Sequence, residues 1–344
     1  MEKSKEEQEK KELERSRNRQ KQHINVINKQ IEYNNKWPRV SSLEIESTIN
    51  FLKRLKDSGY NQILSPVILN DKNAEDLFLN NPKISKIFST ILDIYDLLPL
   101  HPDIAFDVTW RALEIAMKYI AVNNWKWNRD TEFIKILKKA CTDIFCPYAS
   151  KENGIKEMFE KLFSCVSLNS LRYLVVRLYI EPEMAVSPQQ GYIIKRANDI
   201  IGKVVLDAIS KKFINSDGSM PADRQRSAAS LFSKIMRGEE FIIEGTTYKS
   251  MPIEKQIEFY ISCVLYSSRC ERYHGDHYSP LKSSLSTLHT YYEYYYLLIF
   301  SYAIFWLLMH KIQEIAGGPE AISIDSICKS IEKSIEKCQI LPNK

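Results

Sequence analysis

The stretch LKSSLSTLHTYYEYYYLLIFSYAIFWLLMHKIQEIAGGP, residues 281–319, points to a helical protein. It predicts one helix from Leu281 to Ala316, stopped by Gly317-Gly318-Pro319, because glycine ends helices and proline cannot continue them. Its uncharged run, residues 294–309, is shorter than the roughly 20 apolar residues needed to cross a bilayer. A core helix is therefore expected. Less favoured interpretations are a membrane-acting helix and a base-stacking surface formed by the tyrosines at 291, 292 and 294–296.

The composition also favours helices. Only ten of the 344 residues are glycine. That share is under half the usual value of about 7%, too low for a β-sandwich or for the phosphate loops of typical nucleotide-binding sheets. Apolar residues make up 44% and charged residues 26%, which excludes wholesale disorder and a multispan membrane protein. The length allows about two domains.

Charge and cysteine usage restrict the function class. A net charge of +5 is too small for a nucleic-acid coat protein but leaves room for a local basic cleft. The seven cysteines include no C-x-x-C pair, and Cys141 and Cys146 are expected to be small core residues rather than ligands. We therefore expect no metal site, no cofactor and a reducing, cytoplasmic location. The N-terminus has no apolar signal region.

Apolar periodicity predicts further helices from residue 41 onward. Segment 101–122 is expected to be a core helix that buries Ile104, Val108, Ala112, Ile115, Tyr119 and Val122. Other predicted helices are 43–57, 131–145, 156–180 as one helix or two, 191–213, 223–236, 253–275 and 321–339. The one predicted hairpin is FIIEGTTYK, residues 241–249, with its turn at Glu244-Gly245.

Residues 1–22 carry eight basic and six acidic side chains and one large apolar residue, Leu13. This segment has no apolar face to bury, so it is predicted to be a solvated helix or a frayed tail. Coiled-coil pairing is the less favoured alternative.

The candidate catalytic residues are Arg269 and His274, which form an R-x4-H pattern in RCERYHG, residues 269–275. On an uninterrupted helix, residues five apart point about 140° away from each other. The two side chains can therefore converge only if the helix ends or distorts between them, as Gly275 suggests. The same pattern recurs at Arg272 and His277.

An arginine and a histidine together suit cleavage of a phosphodiester without a metal. The histidine can move a proton to or from the attacking 2'-hydroxyl or the leaving oxygen. The arginine can stabilise charge on the pentacoordinate phosphorus. The alternative is structural, with the arginine on a solvated helix end and the histidine in a loop.

The stretch YSSRCERYHGDHYSPLKSSLSTL, followed by the long aromatic helix, resembles the terminal part of HEPN-superfamily domains. Their signature is R-x4-6-H, often with glycine after the histidine. The specific match covers about residues 260–310, and segment 107–114, DVTWRALE, is similar in style to helices that pack against the motif helix. The position after the arginine is usually polar in that superfamily, whereas here it is Cys270.

The resemblance implies a metal-independent endoribonuclease that leaves 2',3'-cyclic phosphate ends. Such enzymes are often toxins or effectors of antiviral defence or abortive infection. In this chain Arg269 would bind the scissile phosphate and His274 would be the acid or base. Arg272, Asp276 and His277 are candidates to line the same pocket. A homodimer is implied, in which two motifs form one composite site.

The predicted organisation has four parts. They are a charged helical segment at 1–40, a helical region at 41–94, a HEPN-like all-α bundle with insertions and a small β-hairpin at 95–318, and a C-terminal helix or tail at 319–344. The expected function is RNA cleavage by a soluble homodimer, held off by an antitoxin, a sensor partner or its own N-terminal region. The alternatives are a non-catalytic HEPN-like binding or regulatory module and, less favoured, a membrane-acting effector.

Overall fold

The computed structural model describes residues 2–36, 45–180, 188–273, 280–283 and 286–341, and nearly all of its regular structure is helical. The helices before residue 165 are α1 (Glu2–Lys36), α2 (Glu46–Asp57), α3 (Asp71–Asn80), α4 (Pro82–Leu97), α5 (Pro102–Asn123), α6 (Phe133–Ala140), α7 (Cys146–Lys151) and α8 (Asn153–Ser164). Those after it are α9 (Leu168–Tyr179), α10 (Pro188–Ile201), α11 (Lys203–Phe213), α12 (Ala222–Met236), α13 (Ile253–Phe259), α14 (Tyr266–Tyr273), α15 (Leu288–Ala316) and α16 (Ile324–Cys338). The predicted all-α class is confirmed.

The core is built around α15. Every residue from Tyr291 to His310 is buried except Glu293, which is partly buried. α5 lies along α15, α4 covers α5, and α16 packs against both α15 and α8. α15 is long and apolar enough to cross a membrane, but 94% of its most apolar window is buried inside the protein. The predicted core helix is therefore confirmed. The neighbouring helices remove its apolar surface from water, which stabilises the fold.

The tyrosines of α15 point into this core. Tyr291, Tyr292, Tyr294, Tyr295 and Tyr296 are all buried, with at most 7% of their surface exposed. Their hydroxyls find partners in the interior: that of Tyr292 donates to the Cys165 carbonyl at 2.6 Å and that of Tyr296 to the Leu162 carbonyl at 3.0 Å. Buried hydroxyls need such partners. A base-stacking surface formed by these rings is therefore ruled out.

α15 begins later than predicted. It starts at Leu288 rather than Leu281, and Pro280–Lys282 forms a separate 3-10 turn. Thr287 is extended and its N–H donates to the Thr290 hydroxyl at 3.1 Å. Serine and threonine side chains, which occur here at 283, 286 and 287, can compete with a helix for backbone hydrogen bonds. At the other end Gly317 adopts the left-handed conformation, with φ at +73°, so the predicted stop is confirmed.

α5 is the helix predicted over 101–122, but it buries the predicted face only in part, with Ala112 fully buried. Ile104 and Ile115 are 43% and 42% exposed. Trp110, about 140° around the helix from Ile115, is buried. Apolar residues occur on adjacent faces of α5, so spacing alone could not tell which face meets α15 and α4. Ile115, Tyr119 and Val122 line a surface cavity instead.

One other predicted helix is interrupted in the structure. The helix predicted over 191–213 is two helices, α10 and α11, because Gly202 between them has φ at +95°. Segment 156–180 is also two helices, α8 and α9, which is one of the two predicted alternatives.

The predicted hairpin is confirmed: β1 (Phe241–Ile243) pairs antiparallel with β2 (Thr246–Tyr248). Its turn has positive φ at both Glu244 and Gly245, as a type I′ turn requires.

Candidate functional site

Arg269 lies on α14, the last part of one continuous helical path from residue 253 to 273. A π-helical segment, Tyr260–Leu265, joins α13 to α14, and all six of its residues are buried. A π-helical turn changes the direction in which the following side chains point, and such turns are frequent at functional sites. A second π-helical segment, Cys141–Phe145, joins α6 to α7. The predicted helix over 253–275 is thus confirmed to Tyr273, with a distortion that the sequence did not reveal.

Arg269 is held in place by a carboxylate on α5. Its Nη2 lies 2.8 Å from Oε1 of Glu114, and the two side chains are 19% and 22% exposed. The same oxygen accepts a hydrogen bond from Nε1 of Trp110 at 2.8 Å. Charge-assisted hydrogen bonds of this length are stronger than neutral ones. The chain Trp110–Glu114–Arg269 therefore orients the guanidinium at the edge of the protein surface.

Tyr266 packs beneath this ion pair. Its ring centroid is 6.1 Å from those of Trp110 and Phe133. Partial burial raises the pKa of Tyr266 to about 12, and a hydrogen bond with the Cys270 thiol adds to the rise. The phenol is therefore neutral at physiological pH and is not a candidate base.

Cys270 contacts Tyr266 rather than fixing Arg269. In the superfamily that the motif resembles, the residue after the arginine is usually polar. Here the ion pair with Glu114 orders the arginine instead. Segment 107–114, which is similar in style to helices that pack on the motif helix of that superfamily, contacts α14 through Trp110 and Glu114.

A second arginine lies in the protein interior next to α14. Arg196 of α10 is only 6% exposed, and its guanidinium carbon lies 5.5 Å from the Tyr266 ring centroid. It also contacts Cys263, whose pKa burial raises to about 11 and the Arg196 charge partly lowers. Nε of Arg196 has no hydrogen-bond partner among the described residues. Sequence reasoning did not identify this residue, since a lone arginine within a helical pattern gives no signal.

The other predicted site residues lie outside what the structure describes. His274, Asp276 and His277 follow the end of α14, and only the backbone of Arg272 is described. Their roles stay predictions. The structure places Arg269 and brings it together with Glu114 and Trp110, which the pattern alone did not assign.

Within the described ranges, no group of three or more histidine, cysteine, aspartate and glutamate side chains could hold a metal ion. Cys141 is buried and Cys146 partly buried. Burial raises the pKa of the Cys146 thiol to about 12 and moves that of Cys141 upward as well. Both thiols therefore stay protonated at neutral pH, whereas metal binding needs thiolates.

Comparison of the chain with protein-family models, with curated proteins and with solved structures found no match. The site geometry and the motif therefore carry the functional interpretation.

Proposed function

We propose that this protein is a metal-independent endoribonuclease that cleaves RNA to leave 2',3'-cyclic phosphate ends. The observation that carries the proposal is the position of Arg269. It lies four residues from the end of α14, reaches the surface, and is oriented by Glu114, which is itself held by Trp110. The R-x4-H pattern puts His274 directly after that helix.

In the proposed reaction the 2'-hydroxyl of the RNA attacks the adjacent phosphorus. The new bond joins O2' to phosphorus, and the bond from phosphorus to O5' of the next nucleotide breaks. His274 takes the proton from the 2'-hydroxyl or gives one to O5', while water carries the other proton, a role that suits a histidine near neutral pH. Arg269 stabilises the charge on the phosphoryl oxygens as the pentacoordinate state forms.

Glu114 is a positioning residue in this scheme. An arginine side chain has several rotatable bonds, so an unsupported guanidinium would lose conformational freedom when it met a phosphate. The ion pair with Glu114 orders it beforehand. Prior orientation of a group that acts in the transition state lowers the barrier to reaction.

A homodimer is part of the proposal. A two-fold axis would bring two copies of the segment around Arg269 and His274 together into one composite site. The proposed setting is a cytoplasmic toxin or defence effector, whose activity an antitoxin or a sensor partner controls. Sedimentation of the purified full chain measures the dimer directly.

The test is an RNA cleavage assay with EDTA present. Purified protein is incubated with mixed tRNA and messenger-like RNA, beside a His274→Ala variant. A His23→Ala variant is the matched control, because His23 is exposed on α1. We expect cleavage by the original protein and by the control, and a loss of about 10²–10⁴-fold in the His274 variant. Equal cleavage by all three proteins would contradict the assigned role.

One observation favours a second candidate, a non-catalytic binding or regulatory module. Arg269 is already paired with Glu114, and Cys270 is engaged with Tyr266. A site whose polar groups are satisfied internally can be purely structural. Toxicity on expression that depends on His274 would favour the nuclease, whereas toxicity that is independent of His274 would favour the binding module. The burial of α15 argues against the membrane-acting alternative.

A further inference from the structure

A basic pocket lies on the surface between α4, α5 and the loop at 124–132. It has a volume of about 320 Å³, at the lower end of the range for small-ligand sites. Four cationic side chains line it: Lys83 and Lys86 from α4, Lys118 from α5 and Arg129 from the loop. Among the lining residues that the structure describes, none is acidic.

The four cations lie outside the close ion pairs of the described residues. All four are exposed, and none lies within 4 Å of a carboxylate in the described part of the chain. Many other lysines are paired: Lys139 lies 2.7 Å from Asp143, and Lys329 lies 2.7 Å from Asp325. Like charges gathered around one concave surface create a positive potential that attracts anions.

The position of Lys83 adds to this potential. α4 begins Pro82-Lys83-Ile84-Ser85, so a lysine stands in the first turn, where the helix macrodipole is positive. An acidic residue would stabilise the helix at this place, whereas a lysine does not. A bound phosphate would interact favourably with both the helix terminus and the lysine.

The floor of the basic pocket is apolar. It includes Ile115, which is 42% exposed, and the partly exposed Tyr119 and Val122. These residues belong to the stripe of α5 that the sequence predicted to be buried. A ligand with a flat, weakly polar face and a phosphate would cover this floor and meet the cations at the rim. A nucleotide unit of an RNA strand has both parts.

The loop that carries Arg129 is anchored, so the basic pocket is formed in advance. The backbone N–H of Trp127 donates to the Ala121 carbonyl at 2.9 Å. The ammonium of Lys126 donates to the Asn123 carbonyl at 2.7 Å. The ammonium of Lys139 lies 5.4 Å from the Trp125 ring centroid. A preformed site binds with a smaller loss of conformational freedom.

The basic pocket adjoins the candidate active site along α5. Glu114, which holds Arg269, and Lys118, which lines the pocket, are four residues apart and lie on the same face. At a rise of 1.5 Å per residue the two positions are about 6 Å apart along the helix axis. A single RNA strand can therefore contact both.

We propose that the basic pocket binds the backbone of the RNA substrate next to the phosphodiester cleaved at Arg269. This inference rests on the proposed ribonuclease function. It assigns Lys118 and Arg129 to substrate binding and not to the chemical step. The substrate class is single-stranded RNA, because the pocket offers an apolar floor for an unpaired base as well as cations for phosphate.

The test measures RNA binding by the full chain without cleavage. The probe is a short, fluorescein-labelled single strand of mixed sequence in which every 2'-hydroxyl is methylated, so that attack by O2' is blocked. Fluorescence anisotropy gives Kd over a range of salt concentrations. We expect a Lys118→Ala/Arg129→Ala variant to raise Kd about tenfold at low salt, and to reduce the slope of log K against log salt by about 1.4.

The matched control is Lys53→Ala/Lys56→Ala, which removes two exposed lysines from α2 that do not line the pocket. It removes the same net charge, so it corrects for long-range attraction. An equal loss of binding in both double variants would overturn the inference. Thermal unfolding of each variant checks that the exposed substitutions leave the fold intact.

Cleavage of ordinary RNA separates failure of this inference from failure of the nuclease proposal. If the pocket variant binds RNA weakly and the original protein cleaves nothing, the RNA site stands and the nuclease proposal fails. If the pocket variant cleaves with the original KM, the nuclease stands and the inference is overturned. Displacement of the probe by free AMP at a lower concentration than by unlabelled RNA would also overturn it, in favour of a soluble nucleotide.

Discussion

α15 and α14 follow each other in the chain but differ in what holds their side chains. α15 is apolar on all sides and buried almost throughout. α14 has polar side chains and follows directly on a π-helical segment, and its Arg269 forms an ion pair with a residue 155 positions earlier, Glu114. Substitutions on α15 should therefore change stability, and substitutions around α14 should change activity.

The largest expected effect is on the core. Phe300 is fully buried, with its ring centroid 4.3 Å from that of Tyr260 and 5.8 Å from that of Phe163. Phe300→Ala removes these contacts and leaves a cavity, so the free energy of unfolding should fall by about 3–5 kcal/mol. Urea denaturation measures it. Leu79→Ala, at a site 72% exposed, is the control and should change little. A loss below about 1 kcal/mol at Phe300 would contradict the core assignment.

The next effect should appear in catalysis at Arg269. Arg269→Ala should lower kcat about 10²–10³-fold, because a group that stabilises transition-state charge is lost. Arg269→Lys should recover little of it, since lysine lacks the planar fork. The melting temperature should change little, because the ion pair is partly exposed. Arg111→Ala, an exposed arginine on α5, is the matched control and should keep full activity.

A smaller effect is expected at Glu114. Glu114→Gln still accepts a hydrogen bond from Trp110 but loses the charge that holds Arg269. We expect kcat to fall about tenfold with little change in KM, because the guanidinium is less well oriented. Steady-state kinetics separates the two constants. A rise in kcat would mean that Glu114 restrains Arg269 rather than positioning it.

The smallest effect is the pH dependence of stability that Glu293 causes. Glu293 is the partly buried residue within the buried run of α15, residues 291–310. Burial raises the pKa of Glu293, and the hydrogen bond from the Ser170 hydroxyl and the charge of His289 only partly oppose the rise. The folded protein therefore binds this proton more tightly than the unfolded chain does, so stability is lost as pH rises above the usual value of 4.5.

A Glu293→Gln variant should lack this loss. Its melting temperature relative to the original protein should therefore rise between pH 4 and pH 7, as measured by thermal unfolding at a series of pH values. A difference that shrinks over that interval would show that the ionised form is the one stabilised. Ser170→Ala is the partner control, since it removes the hydrogen bond and leaves the carboxyl in place.

The sequence predicted those parts of the fold that depend on local composition. Residues 294–309 of α15 carry no charge and the helix ends at a glycine pair, so its burial and its end at Ala316 could be predicted. The hairpin could be predicted because Glu244-Gly245 separates two β-forming runs. The start of α15 could not be predicted, because the serines before Thr287 offer several alternative positions for a helix cap.

The site could be predicted only in part. The R-x4-H pattern indicates Arg269 as a candidate, but the carboxylate that orders it, Glu114, lies on another helix, and no local pattern links the two. The π-helical segment before α14 also leaves no mark in the apolar spacing. On α5 the apolar stripe with Ile115, Tyr119 and Val122 suggested the core, whereas these residues line the basic pocket. The spacing of apolar residues shows that a helix face is apolar, but it does not show which part of the protein covers that face.

The most direct measurement is the chemical nature of the RNA ends produced by the purified protein in EDTA. Mass spectrometry of the fragments distinguishes a 2',3'-cyclic phosphate from the 3'-hydroxyl that other nuclease mechanisms leave. We predict cyclic phosphate ends from the original protein and none above background from Arg269→Ala. Cleavage that EDTA abolishes would contradict the metal-independent mechanism. Equal yields of cyclic ends from both proteins would contradict the proposed role of Arg269.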